Sequence, residues 1–406
     1  MHGKIPMASY DEAVASKLRR VSTDSLRFGI IALIAFLTLV DLFAAQAILP
    51  SLVVKFSVSR ATMGFAVNAS TFGMAIAGVA VALLGRNIDR RNGIWFSLVV
   101  LAIPTALLSI TDSIAMFALL RVLQGLCMSA AFTLTIAYLA EHFSPGQAAG
   151  ALAAYVTGNV ASNFFGRILS AAVADGFGIS INFLTFAALN IAGALLVWLT
   201  LKKTDRMMRI DADHPPVGRV WKAHFKNREL RGSFAIGFLI LFVFIGTFTY
   251  VNFQLAAAPL ALSPMALGLV YFVFLPSMLT TPLAGRVARR FGPASGIVLT
   301  LGIAIAGLLA LLTPNLPIVL AGMALIAIGT FLAQAITTGH VSRVAARDKA
   351  AASGIYLASY YSGGLVGSFV LGQVYDRLGW TTCVVVLIAA LIAATIIARQ
   401  LTAPRV

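Results

Sequence analysis

Residues 85–93 read GRNIDRRNG, and residues 285–292 read GRVARRFG. Each stretch follows a long apolar run, and another apolar run begins close behind it. The copies stand half a chain apart in a sequence of 406 residues, which suggests a duplicated unit. They differ at one informative place: the first holds Asp89 where the second holds Arg289.

The flanking runs read as membrane spans. Of all residues 60% are hydrophobic and 11% charged, and the mean hydropathy is +0.93. A soluble domain is nearer about 45–50% apolar with about a quarter of its residues charged. One helix crosses a bilayer with roughly 20 apolar residues. Twelve stretches meet that need: 27–49, 61–84, 94–111, 113–137, 147–172, 179–201, 233–256, 266–284, 294–312, 317–338, 351–374 and 380–398. The polar–apolar alternation of β-barrel strands is absent. The expectation is an all-α integral membrane protein of twelve transmembrane helices.

The net charge of +16 could signal nucleic-acid binding, but its placement argues for topology. If the N-terminus is cytoplasmic, 25 of the 30 Lys and Arg fall in the tails and cytoplasmic connectors. The outer connectors hold only Lys55, Arg60 and Arg377. That asymmetry follows the positive-inside rule for an even number of spans with both ends in the cytosol, in a cell (inner) membrane. Trp95, Trp198 and Trp380 sit at span ends, as interfacial anchors do. Cys127 and Cys383 lie inside spans, so neither a disulfide framework nor a metal site is suggested. The long polar lead and Asp41 in the first apolar run argue against a signal peptide. Asn68-Ala-Ser70 matches a glycosylation sequon, but it lies within a span.

Residues 202–231 form the one long polar connector, and they divide the spans six and six. The expected organisation is an N-terminal tail 1–26, a six-helix bundle 27–201, a cytoplasmic linker 202–231, a second bundle 232–398 and a tail 399–406. Each basic connector follows the second span of its half, so the bundles read as repeats around a central cavity. Many secondary transporters build a midplane site from such repeats.

At these residues the chain resembles the major facilitator superfamily, across all twelve spans. The family's signature between helices 2 and 3 is matched at Gly85, Asp89 and Arg90, with Asn92 and Gly93 departing from it. The second connector keeps Gly285, Arg290 and Gly292. Arg121 to Gly125, RVLQG, is similar to the family's Arg-x-x-Gln-Gly motif in the fourth span. QAILPSLVVKF resembles the twelve-helix drug:proton antiporter branch, yet Gly166-Arg167 stands where many exporters of that branch carry Gly-Pro. The resemblance implies that helices 1, 4, 7 and 10 line the cavity with helix 5 beside it. It also implies a gating role for Gly85, Asp89 and Arg90, with Asp89 holding the cytoplasmic side closed against helix 11.

Asp41, Arg121 and Arg167 are the charges well inside spans, where ionisable groups are costly and face a partner or a watery cavity. At about 1.5 Å per residue all three lie roughly 12–13 Å from the outer surface, so a common cluster is expected. Tyr155, Asn159, Asn163 and Arg167 recur every four residues on the fifth span, beside a ridge of Gly158, Ser162 and Gly166. The stripe is either a structural seam or a cavity lining, and the terminal Arg favours lining. Arg121 and Gln124 share one face of the fourth span. Asp41 is the only carboxylate well inside the bundle. Burial and a nearby guanidinium act on it in opposite senses, so its proton occupancy can follow the state of the cavity. A permanent, purely structural Asp41–Arg121 ion pair is the competing reading. One acid against two Arg leaves a surplus of positive charge, and Arg forks match carboxylates and phosphates. In the second half Asn252, Gln254, Gln334, Tyr356 and Tyr360 add uncharged polar groups, either for substrate shape or for packing.

H-E-x-x-H, G-x-S-x-G and paired buried carboxylates are all missing, so an enzyme is not expected. No Walker-type glycine loop appears, so the energy source expected is the proton gradient, with no cofactor. The expected partners are a small-molecule substrate, protons and the lipid bilayer, around a monomeric protein. The Arg-rich site points to proton-coupled transport of an organic anion, while the branch resemblance points to proton-driven efflux of lipophilic compounds. A transporter-like sensor is the more distant alternative.

Overall fold

The computed structural model describes residues 7–84, 88–143, 145–202, 217–345 and 349–401. Among these residues the secondary structure is helical throughout. The first half comprises α1 (Met7–Ala47), a short α2 (Leu49–Phe56), α3 (Arg60–Leu84), α4 (Arg90–Leu107), α5 (Ile114–His142) and α6 (Pro145–Thr200). After α7 (Val217–Lys226), the second half comprises α8 (Arg228–Ala256), α9 (Pro264–Val270), α10 (Leu275–Thr280), α11 (Ala284–Phe291), α12 (Pro293–Ala310), α13 (Leu316–Val344) and α14 (Lys349–Arg399).

These elements are the twelve expected spans. Among the described residues nine stretches are long and apolar enough to cross a membrane, and two of them, in α6 and α14, each hold two spans. α4 supplies the remaining crossing. Within α6 the chain reverses at Gly178 (φ 87°), and within α14 at Gly379 (φ 79°). Positive φ is cheap only for glycine, so one residue suffices to turn the chain. Elsewhere side chains start the helices. Ser113, Asn227, Ser263 and Asn315 each accept a backbone N–H at a helix N-terminus, which satisfies one of the orphan donors there.

The eighth span is irregular. It runs through α9, a 3₁₀ turn at Tyr271–Phe274, α10, a second 3₁₀ turn at Thr281–Leu283, and α11. Pro276 and Pro282 each remove a backbone donor, and the helix tightens around them. The N-terminal tail is helical from Met7, because residues 7–26 hold no Gly or Pro to interrupt α1. In the expected linker, residues 203–216 lie outside the described residues, and the remainder forms α7 and the start of α8.

The halves repeat each other in packing as well as in sequence. Gly158 of α6 lies directly on the Ala32 carbonyl of α1, and Gly363 of α14 lies directly on the Phe238 carbonyl of α8. These pairs occupy equivalent places in the two halves. A side chain at either glycine would collide with backbone, so small residues set these helix distances. We call the end carrying α7 and the connectors 85–93 and 285–292 the basic end, and the opposite end the far end.

Candidate functional site

Asp41 comes from the middle of α1 and is buried. Its Oδ2 accepts hydrogen bonds from Asn190 Nδ2 at 2.8 Å, Thr105 Oγ1 at 3.0 Å and Gln124 Nε2 at 3.4 Å. These donors belong to the second arm of α6, to α4 and to α5, so the carboxylate lies inside the first bundle. Asp41 Oδ1 has no hydrogen-bond partner among the described residues.

Arg121 of α5 does not form an ion pair with that carboxylate. Its Nε donates to the Val67 carbonyl at 2.8 Å. One terminal nitrogen reaches the Asp41 carbonyl at 3.2 Å and Gln124 Oε1 at 2.8 Å. The other reaches the Leu42 carbonyl at 2.9 Å and Ser70 Oγ at 3.1 Å. A guanidinium has five N–H donors, and here five neutral acceptors on α1, α3 and α5 meet them. Arg121 therefore clamps three helices and touches the Asp41 side chain only through Gln124.

Arg167 stands apart from this network, on the first arm of α6. It is fully buried. One terminal nitrogen donates to Gln46 Oε1 at 2.6 Å, while Nε and the other terminal nitrogen have no partner among the described residues. Four rings surround its guanidinium carbon: Tyr271 at 4.2 Å, Phe43 at 4.7 Å, Phe274 at 4.9 Å and Phe248 at 5.8 Å from the ring centroids. Cation–π attraction recovers part of the cost of burying the charge. The irregular eighth span supplies two of these rings, and Phe248 comes from α8, so the cage straddles the two halves.

Gln46 extends Arg167 into a seam between the halves. Its Nε2 donates to Asn68 Oδ1 at 2.7 Å and Thr249 Oγ1 at 3.3 Å. Its carbonyl accepts from Asn252 Nδ2 at 3.0 Å, and Tyr271 donates to Asn252 Oδ1 at 2.8 Å. Nearer the far end, Asp376 Oδ2 of α14 accepts the Ala61 N–H at the start of α3, at 3.1 Å. Arg60 beside it lies over Tyr375 at 5.5 Å and Phe253 at 5.7 Å. These contacts join the two halves toward the far end.

The remaining sequence candidates fall in three places. On α6, Asn163 and Tyr155 are buried and Asn159 is half-buried, and the Tyr155 hydroxyl donates to the Phe132 carbonyl at 3.1 Å. The ridge residues Gly158 and Gly166 pack on α1, and Arg167 beside them also reaches α1, at Gln46 and Phe43. Tyr356 and Tyr360 of α14 are buried and stack on each other at 6.1 Å, whereas Gln254 and Gln334 are half-buried. At the basic end, Gly85 lies outside the described residues. Asp89 Oδ1 accepts the Asn92 N–H at 2.7 Å and so caps α4. Arg90 pairs with Glu141 of α5 at 2.9 Å.

Several partners escape a reading of the sequence: Thr105, Asn190, Gln46, Asn68, Thr249, Tyr271 and Glu141. Most are single polar residues inside apolar spans, which is a usable signal of a buried bond. The sequence does not say which helix supplies the other end.

Twelve spans in two equivalent bundles, with buried charge between and within them, define a membrane transporter. The sequence matches the Major Facilitator Superfamily over residues 31–275 and 252–405, and the chain belongs to that family. It is 28% identical over 366 residues to the inner membrane transport protein YnfM of Escherichia coli, covering 89% of this chain and 88% of that one. It is 23% identical to the uncharacterized MFS-type transporter YybF of Bacillus subtilis, covering 85% of each. A shorter likeness, 27% over 165 residues, joins it to the drug efflux pump JefA of Mycobacterium tuberculosis, covering 40% of this chain and 32% of that one. In fold it is similar to a bacterial homolog of the human lysosomal transporter Spinster, solved in an inward-facing and unoccupied conformation. The TM-score is 0.73 at 15% identity, over 93% of this chain and 96% of the other. The chain is thus a multi-pass membrane protein and a secondary transporter, not an enzyme.

Proposed function

We propose that the protein is a proton-coupled transporter that carries a small organic solute with an anionic group by alternating access. The observation that supports this most directly is Arg167: a buried guanidinium at the junction of the halves, with two nitrogens unpartnered among the described residues and aromatic walls around it. A carboxylate or phosphate would supply the missing counter-charge, with an oxygen accepting from one of these nitrogens. The stripe Tyr155, Asn159 and Asn163, together with Gln254, Gln334, Tyr356, Tyr360 and Asn252 of the second half, makes up the rest of the proposed binding surface.

Asp41 is the proposed proton carrier, with Arg121 and Gln124 as positioning residues. The carboxylate keeps one oxygen bonded to three donors and the other free of partners among the described residues, so protonation has an available atom. Gly85, Asp89 and Arg90 form the proposed hinge of the basic-end gate. With the halves joined toward the far end, the likeness to an inward-facing relative supports a state open toward the basic end. The basic-end charge bias supports a cytoplasmic setting for that end, in an inner membrane.

Reconstituted protein in vesicles with an imposed pH gradient tests the reading against a panel of organic anions and lipophilic cations. Gradient-driven anion movement, abolished in Arg167→Ala, is the expected result; normal anion transport by that variant would refute it. The second reading, proton-driven efflux of lipophilic compounds, draws on the aromatic cage and the partial likeness to JefA. Proton exchange with lipophilic cations but not anions would favour it.

A further inference from the structure

At the basic end, α1, α5 and α6 enclose a cavity of about 180 Å³. Its basic lining is Arg27, His142 and Lys202, and its apolar wall includes Ile30, Ile31 and Leu201. Among the described residues, none of those lining it is a carboxylate. Glu141, next to His142, is bonded to Arg90. Arg27 and Lys202 are exposed, so their charges face whatever enters.

The cavity is built rather than incidental. Tyr138 accepts the Lys202 N–H on its hydroxyl at 3.1 Å, which pins the end of α6 to α5. The Tyr138 ring also stacks on His142 at 3.9 Å. One turn before Lys202, Trp198 packs on Trp95 at 5.3 Å, and Arg91 covers it at 4.3 Å. Tryptophans at helix ends mark the headgroup level of a bilayer. The cavity therefore opens at that level, with cations at its mouth and hydrocarbon in its wall.

We propose that this cavity binds the phosphate of an anionic membrane lipid, with Arg27 and Lys202 on the phosphate and Ile30, Ile31 and Leu201 against the start of an acyl chain. Free phosphate offers the same anion, but it leaves the apolar wall unused, so the lipid is the assigned ligand. Basic pockets between transmembrane helices are suited to such headgroups. The inference is independent of what the protein transports.

Native mass spectrometry of the purified full-length protein provides the test, with phosphatidylglycerol and phosphatidylcholine offered in turn. Wild-type protein should retain phosphatidylglycerol in preference to phosphatidylcholine. Each cation near an anionic surface contributes about a fivefold factor, so Arg27→Gln with Lys202→Gln should weaken phosphatidylglycerol binding roughly 25-fold. Removing equal charge outside the cavity, Arg286→Gln with Arg289→Gln, should leave it unchanged. If the first double variant does not fold, Arg27→Lys with Lys202→Arg, which keeps the charge, should bind as wild type does. Equal retention of the two lipids, equal loss in both charge-removed variants, or displacement of the lipid by excess inorganic phosphate would each overturn the assignment.

Discussion

Arg121 and Arg167 are both fully buried, yet they are opposites. Arg121 spends five donors on five neutral acceptors from three helices and has none to offer a ligand. Arg167 has one hydrogen bond, four aromatic neighbours and two nitrogens unpartnered among the described residues. The comparison teaches that buried charge alone does not identify a binding residue; the state of its donors does. On the proposed reading a saturated guanidinium is scaffold, and an unsaturated one has donors to offer an anion.

Replacement by alanine should separate the two by sign. Arg121→Ala deletes a clamp on three helices and leaves the Gln124 and Ser70 side-chain oxygens without that donor, at about 1–3 kcal/mol for each left unsatisfied. Even with partial relaxation, the melting temperature and the yield of folded protein should fall sharply. Arg167→Ala removes an uncompensated charge, so its melting temperature should hold or rise, as buried charges replaced by apolar groups often allow. Its anion transport should instead drop by about a hundredfold or more, since each hydrogen bond to a charged group contributes about 1.5–3 kcal/mol. Thermal melts and initial uptake rates on the same samples decide the matter. A destabilised Arg167→Ala, or a stable Arg121→Ala, would erase the distinction.

Gln46→Glu sharpens it further. The substitution is nearly isosteric and places a carboxylate at the one oxygen already bonded to Arg167. Anion uptake should fall by about tenfold because an ion pair then occupies the guanidinium, while the melting temperature drops modestly, since the carboxylate cannot donate to Asn68 and Thr249 as the amide does. Asp41→Asn probes the other side: the Arg121 clamp uses only the Asp41 backbone, so folding should survive while gradient-driven accumulation is lost and downhill exchange persists. The smallest effect is expected at the far end. Asp376→Ala deletes a carboxylate at a helix N-terminus, a contact of about 0.5–2 kcal/mol. Modification of single cysteines placed in the far-end seam should become a few times faster, reporting a looser seal.

The spans and the six-and-six division were legible in the sequence because hydropathy is a local property. Azimuth was not. Asp41, Arg121 and Arg167 are expected at one depth, yet helix rotation sends Asp41 toward Thr105 and Asn190, and Arg167 toward Gln46 and the second half. A helix turns about 100° per residue, so small errors in an assumed facing move a side chain to another neighbour. The cage around Arg167 was further hidden because its ring donors come from a span whose prolines break the regular period. Asp89 shows the same limit: the family resemblance points its carboxylate at helix 11, while the structure has it capping α4.

The one-residue reversal at Gly178 has a mechanical consequence. α6 is a hairpin without slack: its first arm holds Arg167, its second holds Asn190, and Asn182 donates to Ser170 across the bend at 3.0 Å. Asn190 in turn holds the Asp41 carboxylate at 2.8 Å. The arginine and the acid share no hydrogen bond, yet they are attached to one stiff lever. Under the proposed function, the rigidity of that bend is the route by which cargo at the arginine and a proton at the acid would sense each other.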